Sequence, residues 1–179
     1  MRRREFVKLI SGAVATWPAL RFVGPAIWLS TSHAFATEHG AIPVVVADFD
    51  YNDTSGEVAD RQVEHVERVK AFAGLLRDRL AREDKYKVLR LDCAKPTCSI
   101  GSIGADDLAA AALKADARLL VYGGIHKTST LIQWGSVQVV DVQQKELLLN
   151  RFFSFRGDND EAFRRAAEFI GEILNSVSP

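Results

Sequence analysis

Two apolar runs rich in β-branched residues, separated by one long amphipathic segment, constrain the fold of this chain most strongly. The runs Ile42–Phe49 and Arg118–Ile125 are typical of buried strands at the centre of a sheet. From Arg61 to Glu83, apolar residues recur with a period near 3.6, which predicts a long helix with one buried face. The apolar positions of this helix are Val63, Val66, Val69, Phe72, Ala73, Leu76 and Leu80. Helices alternating with strands indicate an α/β fold.

Four further segments carry strand or helix patterns. Tyr86–Leu91 alternates like a short strand, and Ala105–Ala115 is an alanine-rich helix with acidic residues in its first turn. Leu131–Val142 and Lys145–Phe155 both read as strands. The turn residues Gln143–Lys145 lie between them, so the two strands are predicted to form an antiparallel hairpin.

The C-terminal segment, Asn159 to about Val177, predicts a last amphipathic helix. Asp158 is its expected N-cap, and Glu161 follows at the capping-box spacing. Its predicted buried stripe is Ala162, Phe163, Ala166, Phe169, Ile170 and Ile173. The element order is therefore β-α-β-α-β-β-β-α, which predicts one mixed sheet with helices packed on it.

The N-terminal segment reads as a twin-arginine signal peptide. This interpretation is supported by Arg3, Arg4, Phe6 and Lys8. They are followed by an apolar stretch and by the small-x-small motif Ala34-Phe35-Ala36. Cleavage after Ala36 would leave one domain, residues 37–179, in the periplasm. The alternative is an uncleaved membrane anchor, because residues 9–29 approach spanning length. Pro18 and Arg21 interrupt that stretch and disfavour the anchor.

The charge balance excludes one class of partner. The chain has 23 basic and 23 acidic residues; without the five basic and one acidic residues of positions 1–36, 18 and 22 remain, a net charge of −4. Nucleic-acid binding needs clustered Lys and Arg, so we expect no nucleic-acid partner. We expect contact with the membrane only through the signal peptide during export.

Cys93 and Cys98, with four residues between them, are the only cysteines of the chain. In an oxidising compartment such a pair predicts a structural disulfide. A redox-active pair usually has two intervening residues, and a zinc site needs a nearby histidine, whereas His65 and His126 belong to other elements. Redox chemistry and a free or metal-bound pair remain the alternatives.

The loop Asp48–Glu57 is acidic and offers Asp48, Asp50 and Asp53 as candidate ligands for a hard cation such as calcium. It departs from the EF-hand pattern, because the sixth position is Asp53 instead of Gly and the twelfth is Ala59 instead of Glu. It also follows a strand rather than a helix. A solvated loop between a strand and a helix is therefore the alternative reading.

Two polar segments follow predicted strands and can converge at one end of the sheet. They contain Lys127 and Ser129 after one strand, and Arg156 and Asp158 after another. The two cationic side chains could hold an anionic ligand or a carboxylate of a partner. The alternative is that Lys127 lies in a hairpin turn and that Arg156 covers the sheet edge.

The sequence resembles a family of uncharacterised exported proteobacterial proteins, the 2380/3280 group of domains of unknown function. The resemblance rests on Val45–Asp50, the cysteine pair, Ala115-Asp116, Gly124–Ser129 and Phe155–Glu161. It covers most of residues 43–175 and implies an exported α/β domain without an established activity. The order of elements is also similar to that of the N-terminal domain of TolB and of CsgG-like and LpoB-like envelope domains, which bind other proteins or form oligomers.

No catalytic motif, dinucleotide fingerprint or phosphate loop is present in the sequence, so we predict no cofactor. The preferred hypothesis is a periplasmic, non-enzymatic accessory domain that docks on an envelope protein or complex, or on a second copy of itself. An exposed edge strand, Gln133–Val140, would offer its backbone to the partner. The alternatives are a small-ligand or cation-binding protein and a hydrolase, which would need a histidine beside a serine or an aspartate.

Overall fold

Six strands form one mixed sheet in the computed structural model, which describes residues 40–58 and 61–178. The strands are β1 (Ile42–Val46), β2 (Asp50–Asp53), β3 (Tyr86–Val88), β4 (Leu119–Lys127), β5 (Ile132–Asp141) and β6 (Glu146–Arg156). The helices are α1 (Gln62–Ala81), α2 (Ile100–Ile103), α3 (Ala105–Lys114) and α4 (Asp160–Asn175). The predicted α/β fold with one mixed sheet is confirmed. The predicted signal peptide and its cleavage site lie outside the described residues.

The sheet order is β3-β1-β4-β5-β6, and β2 also pairs with β4. The pairs among β1, β2, β3 and β4 are parallel, whereas β4, β5 and β6 form an antiparallel meander. The nine-residue strand β4 is shared by two short strands: β1 pairs with Leu119–Val121, and β2 pairs with Gly124–Lys127. The chain therefore leaves the sheet after β1 and rejoins the same neighbour a few residues later.

One face of the sheet, which we call the α1/α4 face, carries the larger core. Its fully buried side chains from the two helices include Phe72, Leu76, Phe163 and Ile170. They pack on alternate residues of the central strands, for example Val121 and Ile125 of β4, because successive side chains of a strand point to opposite faces. Aromatic rings within this layer pack edge to face, as Phe72 and Phe163 do.

The other face, which we call the α3 face, is covered over only part of its area. Leu108 and Ala112 of α3 pack against Val45 and Leu120. Farther along the sheet, no helix in the described part of the chain covers Trp134 and its neighbours, and a cleft of about 600 Å³ opens there. Large apolar side chains are therefore exposed on this part of the sheet.

Several details differ from the predictions, each for a physical reason. Asp50–Asp53, predicted as part of a loop, forms β2 because β4 is long enough to pair with a second strand. Val63 is 78% exposed, and His65 takes its place in the buried stripe of α1. Phe169 of α4 is also exposed, at 53%, whereas Ala167 and Leu174 are buried. None of the described helices is long and apolar enough to cross a membrane.

The predicted exposed edge strand, Gln133–Val140, is wrong. This segment belongs to β5, which is paired with β4 on one side and with β6 on the other. Both strands of the predicted hairpin are present, but β4 pairs with the other side of β5, so the exposed edge at this end of the sheet is β6.

Candidate functional site

A buried lysine lies at the end of β4 on the α1/α4 face. Lys127 is 0% exposed, and its Nζ atom donates hydrogen bonds to Glu57 Oε2 at 2.5 Å and to Asp158 Oδ2 at 2.8 Å. The Nε2 atom of His65 lies 3.4 Å from the same nitrogen. A buried ammonium group is costly unless it is paired. Here two carboxylates satisfy it.

Asp158 is the centre of this cluster. Its carboxylate accepts hydrogen bonds from Lys127, from Arg68 at 2.8 Å and from Arg61 at 3.3 Å. Its Oδ2 atom also lies 2.9 Å from His65 Nε2. Asp158 therefore joins β4 and α1 to the start of α4.

The predicted N-cap role of Asp158 is wrong. The carboxylate of Asp158 is directed toward the cations of the cluster, and the next residue, Asn159, caps α4 instead. Asn159 Oδ1 accepts a hydrogen bond from Ala162 N at 2.9 Å. Glu161, the expected capping-box partner, binds Arg164 through two hydrogen bonds.

A third carboxylate, Asp53 at the end of β2, faces His65 from the opposite side. Its Oδ2 atom lies 3.8 Å from His65 Nδ1 and accepts a hydrogen bond from the Tyr51 hydroxyl at 3.4 Å. Its other oxygen accepts from Ser55 N at 2.8 Å. His65 Nδ1 is buried without a hydrogen-bond partner in the described part of the chain. We call Asp53, Glu57, His65, Lys127 and Asp158 the Lys127 cluster.

The pKa values of the cluster follow from these contacts. Burial opposes the charged form of Asp158, but the hydrogen bonds from Lys127 and His65 outweigh it and hold the pKa below its usual value. Burial likewise disfavours charged Lys127, yet the bonds to Asp158 and Glu57 raise its pKa. The pKa of Asp53 is lowered against its burial, mainly by the bonds from Ser55. Burial and the adjacent Asp53 raise the pKa of the Tyr51 hydroxyl.

The cluster has the donor atoms of a cation site but is filled by its own lysine. One ligand atom each of Glu57, His65 and Asp158 lie within 4.8 Å of one another, the grouping that a metal ion requires. Lys127 Nζ binds both carboxylates of this group, so its ammonium occupies the position of the cation. The arrangement fixes the end of the sheet rather than leaving an open coordination position.

Two of the three predicted metal ligands do not reach the cluster. Asp48 accepts hydrogen bonds from Arg77 and from Cys98 N, both at 2.9 Å. Asp50 accepts from the Ser99 hydroxyl at 2.6 Å and from Gly101 N at 2.9 Å. These carboxylates attach the cysteine loop and the start of α2 to the end of β1 and to β2.

The predicted disulfide between Cys93 and Cys98 is present, with Cα atoms 5.7 Å apart. Asp48, just after β1, holds the loop that the disulfide closes through both backbone groups of Cys98. Asp48 N donates a hydrogen bond to Cys98 O, and Cys98 N donates one to the Asp48 carboxylate. The disulfide therefore stabilises the loop that the aspartates hold.

The structure brings together only part of the predicted ligand site. Lys127 and Asp158 are in direct contact, but the bonds of the lysine are all internal. Ser129 Oγ accepts from Ile132 N and closes the turn between β4 and β5. Arg156 is exposed at the end of β6, and the alternation along the strand directs it to the side opposite Phe155. The two cations therefore do not converge on one ligand.

The sequence analysis missed three members of this region: Glu57, His65 and Arg68. A signal was present for His65, which is spaced by four, seven and eleven residues from Val69, Phe72 and Leu76 on the buried stripe of α1. A histidine at such a position needs a buried polar partner. Nothing in the sequence pairs it with Asp158, because that contact spans 93 positions of the chain.

The histidines do not form a hydrolytic triad in the described part of the chain. His65 Nε2 lies beside the carboxylate of Asp158. The other group near this nitrogen is the ammonium of Lys127, whereas a hydrolytic triad would have a serine hydroxyl at the histidine. His126 Nε2 lies 2.7 Å from the Thr54 hydroxyl, and no carboxylate of the described residues contacts this histidine. The third group that orients a catalytic base is therefore missing from the Thr54–His126 pair.

The outer edge of β6 is not paired with any strand of the described residues. Gly157 N donates to Leu131 O at 2.9 Å, which makes Leu131 and Gly157 a hydrogen-bonded pair of the antiparallel ladder. Counting back from Gly157, every second residue of β6 directs its backbone N–H and C=O groups to β5. The alternate residues direct theirs away from the sheet. The outward-directed residues are Asn150, Phe152, Ser154 and Arg156.

Exposed aromatic side chains flank this edge on both faces of the sheet. On the α3 face, Phe152 is 70% and Trp134 51% exposed. On the α1/α4 face, Phe169 of α4 borders a cleft of about 230 Å³ with Phe153 and Phe155. From Asn150 to Arg156, the edge strand has no proline, lysine or acidic residue and no bulge; its one irregularity lies opposite Val139 and Val140. Of the usual protections of a free edge, this segment therefore has only charged side chains, those of Arg151 and Arg156.

Comparison with known proteins identifies the family. Residues 43–173 match the family DUF3280, described as "Protein of unknown function (DUF2380)". The chain belongs to this family. The resemblance stated from the sequence is confirmed, and the family description assigns no activity. No curated protein matches the chain in sequence.

Solved structures with a similar fold include proteins that the sequence resemblance named. TolB from Acinetobacter baumannii is 17% identical with a TM-score of 0.45, and the match covers 75% of this chain but only 27% of TolB. The C-terminal domain of LpoB from Salmonella enterica is 11% identical over 64% of this chain and 82% of that domain, with a TM-score of 0.42. The PelC dodecamer from Paraburkholderia phytofirmans is 12% identical over 78% and 90%, with a TM-score of 0.46.

Proposed function

We propose that this protein is an exported, non-enzymatic accessory domain that binds an envelope protein through the free edge of β6. The observation that carries the proposal is the regular edge segment Asn150–Arg156, which has outward backbone groups and aromatic side chains exposed on both sides. A strand added to this edge would satisfy the backbone groups and bury the aromatic rings at once, which is the recognition mode of β-augmentation.

The chemistry of the Lys127 cluster supports a structural role for the interior. Lys127 pairs with Glu57 and Asp158, and the flanking Arg61 and Arg68 supply two further positive charges to Asp158. Asp158 lies in the connection between β6 and α4, and the cluster attaches this connection to β4 and α1. A rigid scaffold beside a free edge suits a docking domain, because less conformational entropy is lost when the partner binds.

The extracytoplasmic location is part of the proposal. The twin-arginine motif at Arg3 and Arg4 would direct export, and cleavage after Ala36 would release the domain into the periplasm. The disulfide fits an oxidising compartment. Replacement of both arginines by lysine should retain the protein in the cytoplasm, as measured by cell fractionation. Unchanged export of that variant contradicts the twin-arginine route.

Binding through the edge is tested with a substitution that removes one outward donor. Ser154→Pro deletes the outward N–H and no ladder bond, while Ser154→Ala removes the same hydroxyl and keeps the N–H. Chemical cross-linking in intact cells should give a defined adduct with the wild type and with Ser154→Ala, and at least tenfold less with Ser154→Pro. Equal adduct formation by the two variants would rule out edge pairing.

A further inference from the structure

Two arginines without internal partners stand on the free edge. Arg151 and Arg156 are exposed, and neither makes a hydrogen bond or an ion pair with any residue at 40–58 or 61–178. By contrast, Arg61 and Arg68 beside the Lys127 cluster each bind at least one carboxylate. The free edge therefore carries positive charge that the fold does not use.

The two charges are placed on opposite faces of the strand. They are five residues apart, which is about 16 Å along a strand, and an odd spacing directs them to different sides of the sheet. Between them lie Phe152, which is 70% exposed on one face, and Phe155, which is half-buried on the other, whereas Phe153 belongs to the core. The edge thus presents charge at two points and apolar surface in the middle.

We infer that β6 binds an extended acidic segment of a partner protein, with two carboxylates five residues apart and apolar residues between them. This inference rests on the proposed function and specifies the partner. The same pattern fits a parallel and an antiparallel partner strand, because either direction places one carboxylate opposite each arginine. A second copy of β6 fits less well, since it would bring two more arginines to the interface and only one acidic residue, Glu146.

A lipid surface is the other occupant that arginines and aromatic rings can bind. The outward N–H and C=O groups between Asn150 and Arg156 distinguish the two, because a peptide strand satisfies them in register and lipid headgroups do not. An apolar environment without such partners would make these groups costly. The edge therefore favours a polypeptide partner.

The probe is a pair of matched peptides, acetyl-Glu-Val-Thr-Val-Leu-Glu-Thr-amide and the same peptide with both glutamates replaced by lysine. Binding to the full chain is measured by fluorescence anisotropy of labelled peptides at low salt. The acidic peptide should bind at least about tenfold more tightly than the basic one, because each exposed charge pair contributes modestly and two pairs act together. The difference should shrink in 0.5 M NaCl, where the charges are screened.

A charge-reversal variant provides the control. The double variant Arg151→Glu, Arg156→Glu changes only exposed side chains and should invert the preference, so that the basic peptide binds more tightly. Equal binding of the two peptides to the wild type, or no inversion in the variant, overturns the acidic partner. So does preferential binding to phosphatidylglycerol vesicles, or a dimer of the chain in sedimentation equilibrium that Ser154→Pro dissociates.

The failure of this inference and the failure of the proposed function give different results. When cross-linking in cells is lost in Ser154→Pro but the two peptides bind equally, edge pairing stands and only the acidic partner is wrong. When Ser154→Pro cross-links as Ser154→Ala does, the edge does not bind a partner strand, and both proposals are wrong.

Discussion

Removal of the negative charge of Asp158 should destabilise the domain strongly. In Asp158→Asn, the fully buried ammonium of Lys127 keeps only Glu57 as a charged partner, and Arg61 and Arg68 lose the carboxylate that they share. Breaking a buried ion pair by removing one partner costs about 3–5 kcal/mol. Because Glu57 still compensates part of the charge, we expect a loss of about 4 kcal/mol in the free energy of unfolding.

Urea denaturation followed by circular dichroism measures this loss. With a slope of about 2 kcal/mol per molar urea for a domain of this size, the unfolding midpoint should fall by about 2 M. Asp160→Asn is the matched control: it makes the same chemical change two residues away, and Asp160 also binds Arg68, but its side chain is 94% exposed. The control should lose less than about 1 kcal/mol. Equal losses in the two variants would refute the central role of Asp158.

Three further predictions concern pH, the disulfide and the helix cap. Because the pKa of Asp158 is lowered in the folded state and that of Lys127 is raised, the stability that they contribute should be complete between about pH 5 and 9. This contribution should decline as pH falls below about 4 and as pH rises above about 10.5. Urea titrations at a series of pH values measure it, and a free energy of unfolding that stays constant below pH 4 would contradict the role of Asp158. The double variant Cys93→Ser, Cys98→Ser should lose about 2 kcal/mol, the loop-closure value for a short loop, when compared with the oxidised wild type; no loss would indicate that the aspartate contacts alone hold the loop. Asn159→Ala should cost about 1 kcal/mol in the same assay, and no cost would indicate that this residue does not cap α4.

The sequence predicted those parts of the fold that local patterns determine. The periodicity from Arg61 to Glu83 located α1, and the alternation on both sides of Gln143 located β5 and β6. It did not predict β2, because the residues Asp50–Asp53 are polar and become a strand only through pairing with the second half of β4. Pairing of this kind depends on residues more than 70 positions away.

The site was predicted less well than the fold, for the same reason. Lys127 and Asp158 were both candidates, but their direct contact depends on how α4 packs beside β4. The local rule that made Asp158 an N-cap was overridden by four donors that reach its carboxylate from other elements. The edge was misplaced by one strand, since strand patterns do not specify which strand of a meander is outermost.

The position of Lys127 Nζ among Glu57, His65 and Asp158 has a consequence for how the domain responds to metal ions in its surroundings. A counter-ion attached to the backbone cannot be chelated, exchanged or diluted away, whereas a bound calcium or zinc ion follows its free concentration. The end of the sheet that carries α4 and β6 should therefore keep its geometry equally in EDTA and in millimolar calcium. The domain would present the same β6 edge whatever the ionic composition of its surroundings.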